Sequence, residues 1–212
     1  MKLNKTIICS IFIVMFHLVG LYGFLNSELE KLFIVLVPFH LLLMLSLLVI
    51  STNDFSLNIR NFAIIVYLAG FFIEVIGVNT GLIFGSYTYG KALGFKLFST
   101  PLLIGVNWLI LVYCTGVFLE QFKIKNALFF CLIGALVLLS LDFLIEPIAI
   151  RFNYWSWAGG KIPLQNYLGW YLFSCLLLWI FRRLDFQKQN KAAIALLFAQ
   201  LVFFLVLNFW AL

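Results

Sequence analysis

Seven runs of apolar residues, each close to the length that crosses a bilayer, occupy most of this 212-residue chain. They cover roughly 6–25, 32–50, 61–79, 101–119, 127–146, 164–181 and 192–211. About 20 apolar residues, rising 1.5 Å each as a helix, match a hydrocarbon core of about 30 Å. Backbone polar groups find no water there, so each run is expected to be helical. The composition agrees, with 65% hydrophobic and 10% charged residues and a mean hydropathy of +1.12, beyond what soluble domains carry. The expected fold class is all-α: a polytopic integral membrane helical bundle of about seven transmembrane helices, forming one membrane domain over 1–212. The first run has no small-x-small cleavage site and leads straight into further runs, which favours a span over a cleaved leader.

Lys and Arg in the connections set the orientation. With the N-terminus inside, the inner side holds nine, Lys2, Lys5, Arg60, Lys123, Lys125, Arg182, Arg183, Lys188 and Lys191, and the outer side five, Lys31, Lys91, Lys96, Arg151 and Lys161. The net charge of +6 is thus a topology signal with an attraction to anionic membrane lipid. Basic residues scattered over short loops offer no nucleic-acid surface.

The polar residues inside the runs form a repeat. Glu74 is followed 13 residues later by Tyr87-Thr88-Tyr89, and Asp142 is followed 13 residues later by Trp155-Ser156-Trp157. A Pro-Leu pair comes next, at Pro101 and Pro163, with a Trp seven residues on, at Trp108 and Trp170. The segment between aromatic pair and Pro is six residues shorter in the second copy. The units are about 61–119 and 127–181, a parallel pseudo-repeat. A carboxyl group at a helix centre costs about 2.5–3.5 kcal/mol on insertion, so it reads as functional. Two at matching points suggest one site built between two halves. A carboxyl group removed from water favours its neutral form and can then serve as a general acid.

Glu74 lies about five residues from the end of its run, roughly 7–8 Å below the interface, and Asp142 is placed alike. Glu146 falls one turn beyond Asp142 on the same face. Pro147 is expected to end that helix, leaving Glu146 catalytic or merely interfacial, with Arg151 as a salt-bridge partner or a snorkelling cation. The long connections 80–100 and 147–163 are rich in Gly and aromatics and lie on one side. They suit tight re-entrant backbone or an interfacial aromatic belt. Asn107 and Asn166 each follow a Pro near the start of a run, where an amide holds a water, caps a carboxyl or joins helices. Asn79 and Thr80 suit helix capping. Cys9, Cys114, Cys131 and Cys175 form no CxxC pair and read as small core residues. His17 and His40 have no acid or second His at ligand spacing, so no metal site is expected.

The stretch Glu74-Val-Ile-Gly-Val-Asn-Thr-Gly-Leu-Ile-Phe-Gly-Ser-Tyr-Thr-Tyr-Gly, followed by Pro101 to Asn107-Trp108, resembles the central motif of the carotenoid-biosynthesis integral membrane proteins that include carotenoid 1,2-hydratases. Asp142-Phe-Leu-Ile-Glu-Pro, Tyr154-Trp155-Ser-Trp157 and Pro163-Leu-Gln-Asn166-Tyr-Leu-Gly-Trp170 resemble its second motif. The resemblance is close over about 74–170, and the flanking runs match in character only. It implies a hydro-lyase that adds water to the terminal 1,2 double bond of an acyclic carotenoid end group, without a cofactor. The substrate would be lycopene, γ-carotene or a bacterioruberin precursor, and the product a tertiary alcohol. It also implies a bacterial cytoplasmic membrane and other carotenoid-pathway enzymes as neighbours.

Such chemistry needs a strong, dry acid, because the end-group double bond lies outside the polyene. Protonation yields a tertiary cation, which aromatic faces stabilise by about 0.5–2 kcal/mol each. The expected catalytic residues are Glu74, Asp142 and Glu146, with Asp142 or Glu74 giving the proton and the other ordering the water. Tyr87, Tyr89, Trp155 and Trp157 would line the cation pocket, Asn107 and Asn166 would hold water, and Trp108 and Trp170 would contact the substrate. Grooves between helices would take the polyene from the lipid. Three other readings share these residues: a small membrane lycopene cyclase using the same protonation, a non-catalytic lipid or carotenoid carrier, and a proton-coupled transporter.

Overall fold

The computed structural model describes residues 4–211; Lys2, counted among the inner charges, lies outside them. Seven helices follow in order: α1 (Lys5–Leu25), α2 (Glu30–Ser51), α3 (Leu57–Thr80), α4 (Leu103–Glu120), α5 (Ala127–Arg151), α6 (Leu164–Arg183) and α7 (Lys191–Ala211). All seven are long and apolar enough to cross a membrane, and the chain is an integral membrane protein with an all-α bundle. Asn4 and Asn126 cap α1 and α5 by accepting from the backbone N–H of Thr6 and Phe129, the usual relief for unpaired first-turn donors. Gly81 closes α3 at φ 69°, in the left-handed region that glycine enters without strain.

α4 is the axial helix, buried along most of its length, and packs on α2, α3, α5, α6 and α7. The other helices bury one face and turn apolar side chains outward, as lipid-facing helices do. Close approach rests on small residues. A Cβ on Gly70 would stand 2.6 Å from the Cβ of Trp108, and one on Gly105 would stand 2.7 Å from the Tyr67 carbonyl oxygen. These two glycines let α3 and α4 touch, and the touch seats Trp108 fully inside.

The two long connections carry short strands, which periodicity over three residues cannot announce. β1 (Tyr87–Tyr89) pairs antiparallel with β4 (Trp155–Trp157), matching Tyr87 to Trp157, Thr88 to Ser156 and Tyr89 to Trp155. Side chains alternate along a strand. The four aromatics therefore face the bundle, while Thr88 and Ser156 face out with their hydroxyls 3.1 Å apart. A second hairpin, β2 (Lys96–Leu97) with β3 (Thr100–Pro101), lies where the first unit has its extra residues.

Pro147 does not end its helix. α5 continues through it to Arg151, because proline's fixed φ is helical and only one hydrogen bond is lost. The extra turn is held by Phe152 N–H on the Ile148 carbonyl at 3.0 Å and Tyr154 N–H on that of Ala149 at 2.8 Å. Arg151 faces away from Glu146 and pairs loosely with Glu30 at 3.9 Å. Asn79 and Thr80 do cap: their side chains donate to the Val75 and Ile76 carbonyls, and Asn79 also to Phe98.

At the opposite end of the bundle, Ser51, Asn190 and Tyr113 form a buried hydrogen-bonded cluster, and Arg182 bonds Glu120 at 2.9 Å. Replacing Gly105 by Ala is expected to push α4 from α3 and lower stability by about 1–3 kcal/mol. Thermal unfolding of the purified protein checks this, and an unchanged midpoint would show that the contact is slack.

Candidate functional site

The repeat's acids converge under the β1–β4 pair. Glu74, Asp142 and Glu146 are 3%, 1% and 1% exposed, so each must find partners within the protein. Glu74, on α3, is met by three donors. The Tyr87 and Tyr89 hydroxyls donate to its Oε2 at 2.5 and 2.7 Å, and Trp108 Nε1 donates to Oε1 at 2.9 Å. Burial, then the nearby Glu74 carboxyl, push both phenols well above their ordinary pKa, so both stay protonated and donate. Strand alternation puts both tyrosines on one side, and the close α3–α4 contact supplies the indole.

The second unit repeats the plan with a change. Trp155 and Trp157 donate from Nε1, each at 2.9 Å, to Oε2 of Glu146, not to Asp142. Asp142 aligns with Glu74 in sequence but sits four residues, about 6 Å, deeper than Glu146 on the same face. Its shorter side chain does not reach the strand. Glu146 is accordingly no interfacial carboxylate, because the helix running on past Pro147 keeps it roofed by the strands. Asn166, on α6, joins the two acids. Its Nδ2 lies 3.1 Å from Asp142 Oδ2 and 3.1 Å from Glu146 Oε1. Among the described residues Asp142 Oδ1 has no hydrogen-bond partner.

Two cavities meet here. A small one of about 20 Å³ is lined by Glu74, Glu146, both tyrosines, Trp155, Trp157, Asn107, Asn166 and Trp170. Its size suits one ordered water with several polar partners. Asp142 and Trp108 stand a layer behind it, and Trp108 stacks on Trp170 with ring centroids 4.1 Å apart. Tyr87 lies against Trp157 at 5.0 Å and Tyr89 edge-on to Trp155 at 6.1 Å. The larger cavity, about 330 Å³ and almost wholly apolar, runs among α1, α2, α5 and α7. Ile104, Asn107, Ile145 and Trp155 line both. Asn107 thus stands at the junction, and its side chain has no hydrogen bond among the described residues.

The larger cavity also holds what sequence spacing missed. His17 and His40, 23 positions apart on different helices, meet edge-to-face with ring centroids 4.8 Å apart. Only helix packing brings them together, and no local signal announces it. Among the described residues, no three His, Cys, Asp or Glu side chains gather as a metal site would need.

Chemically, the site offers two carboxyl groups facing one small cavity, a third behind them, several aromatic faces, and an apolar space leading away. Neither the curated proteins nor the solved structures gave a match to this chain. A family model described as carotenoid biosynthesis protein matches residues 30–212, which include every acid, amide and aromatic of the site. This chain belongs to the carotenoid biosynthesis protein family.

Proposed function

We propose that this protein hydrates the terminal isopropylidene double bond of an acyclic carotenoid end group. The observation that carries the reading is the junction of the acid-lined cavity, sized for one water, with a larger apolar cavity. A cation formed at a chain end there would meet aromatic faces and a water before anything else.

Glu146 is the group placed to protonate the alkene. It faces the cavity, and the Asn166 amide that donates to it also donates to Asp142, which stands behind it as a reserve acid. The proton adds to the less substituted alkene carbon, leaving the cation on the carbon that bears the two methyl groups. Trp155, Trp157, Tyr87 and Tyr89 surround that position. The water held near Asn107 attacks, and its released proton passes to Glu74, the other carboxyl group that faces the cavity. The proton then returns to Glu146 and the net proton count is zero. No electrons move, so the chemistry needs no redox cofactor. The bundle would sit with its N-terminus inside, in the cytoplasmic membrane, with the site towards the outer face.

Expression in a host that makes lycopene or a monocyclic carotenoid tests this. A product heavier by one water with an unchanged chromophore is expected. A ringed isomer of unchanged mass would mean cyclisation, and unaltered pigment with well-expressed protein would favour a carrier or transporter.

Glu146→Gln and Glu74→Gln are each expected to lower turnover by about a hundredfold or more, the usual weight of a positioned acid or base. The protein should stay in the membrane, and pigment yield per unit of membrane protein measures the effect. Asp142→Asn removes only the reserve acid and should lower turnover less than Glu146→Gln, with the protein still inserted; full activity would remove Asp142 from the proton path. Trp157→Phe keeps the ring but loses one donor to Glu146, and should cost less than either glutamate substitution in the same assay.

A further inference from the structure

The larger cavity is not purely apolar, and its polar groups are unspent. Gln200, on α7, is 8% exposed, and its Oε1 has no hydrogen-bond partner among the described residues. His17 lines the same cavity, and Phe203, one turn after Gln200 on α7, packs edge-to-face on its ring. His17 Nδ1 is 2.8 Å from the Ile13 carbonyl oxygen. A carbonyl only accepts, so Nδ1 carries the hydrogen and, in the neutral ring, Nε2 is a free acceptor. His40, half-buried against His17, makes no side-chain hydrogen bond among the described residues. Gln200 and both histidines line the same cavity as Asn107 and Trp155. Buried acceptors without donors are costly and few in native structures.

We infer that this cavity receives isoprenoid end segments that carry a hydroxyl group. The inference rests on the cavity being the substrate cavity of the hydratase proposed above, and it names what that cavity prefers. About 330 Å³ is the low end for a small-molecule site. It suits a short isoprenoid segment; the rest of a full-length polyene must lie elsewhere. A segment with its alkene end at Asn107 would extend towards His17, His40 and Gln200. A plain hydrocarbon would leave both acceptors unpaired. A hydroxyl there donates to Gln200 Oε1 or His17 Nε2 and accepts from His40 or the Gln200 amide.

Prenyl alcohols are suitable probes, since each has an isopropylidene group at one end and a hydroxyl at the other. Geraniol, farnesol and geranylgeraniol vary the distance between them. Binding to the full-length protein in lipid nanodiscs would be read by calorimetry, with the hydrocarbon farnesene as comparison. At least one alcohol is expected to bind about threefold to tenfold more tightly than farnesene, the weight of one net hydrogen bond. Gln200→Leu and His40→Leu, which keep the cavity filled and touch neither acid, should each reduce that preference. Carotenoid hydration with equal binding of farnesol and farnesene would overturn this inference and leave the hydratase reading intact. A preference unmoved by both substitutions, the hydroxyl then lying elsewhere, would also overturn it. A preference lost in both variants without any carotenoid turnover would support the site and remove the hydratase reading.

Discussion

A buried carboxyl group needs donors, and the strand end of this protein is built to supply them. Inserting one acid in hydrocarbon costs about 2.5–3.5 kcal/mol. A hydrogen bond returns about 0.5–1.5 kcal/mol net, so the three donors on Glu74 together are of the size of that cost. All three come from aromatic side chains, Tyr87, Tyr89 and Trp108. Glu146 draws on Trp155, Trp157 and Asn166. The aromatic donors bring apolar surface with them, so Glu74 and Glu146 gain partners from residues that also keep the site largely apolar. The dependence runs both ways. Two paired strands of three residues are too few to be stable in isolation, and the carboxyl groups anchor β1 and β4 to α3 and α5.

That mutual anchoring explains which features were legible in the sequence. The seven spans stood out because hydrocarbon length and backbone satisfaction leave few alternatives. Glu74 and Asp142 stood out because polar residues in apolar runs are costly, and the tyrosine and tryptophan pairs because they recur behind the acids. The strand pairing was hidden, since alternation over three residues carries little signal. The end of α5 was misplaced for one local reason: Pro147 follows Glu146, and proline usually marks a helix end. Here the helix continues, and the acid beside the proline takes the indole donors that the repeat assigns to Asp142. The meeting of His17 with His40 depends on the crossing of α1 and α2 and has no local code at all.

The glycines act at a distance from the chemistry but serve it. Gly70 and Gly105 let α3 and α4 approach until Trp108 is fully enclosed, with its Nε1 on Glu74 and its ring on Trp170. Trp170 in turn lines the small cavity. Helix spacing is thus transmitted to the acid site through one stacked pair of indoles.

The contacts between the two units have a further consequence. Thr88 meets Ser156 across the strands, and Trp108 meets Trp170 between the helices. Each residue faces its own counterpart in the other copy, which is the isologous kind of contact that two-fold related subunits make. Each unit also satisfies its own glutamate with its own strand, Glu74 with Tyr87 and Tyr89, Glu146 with Trp155 and Trp157. A single ancestral unit paired with a second copy of itself would already own such a site. Within one chain the two halves need not stay identical, and Asp142, Asn166 and the second hairpin are where they differ.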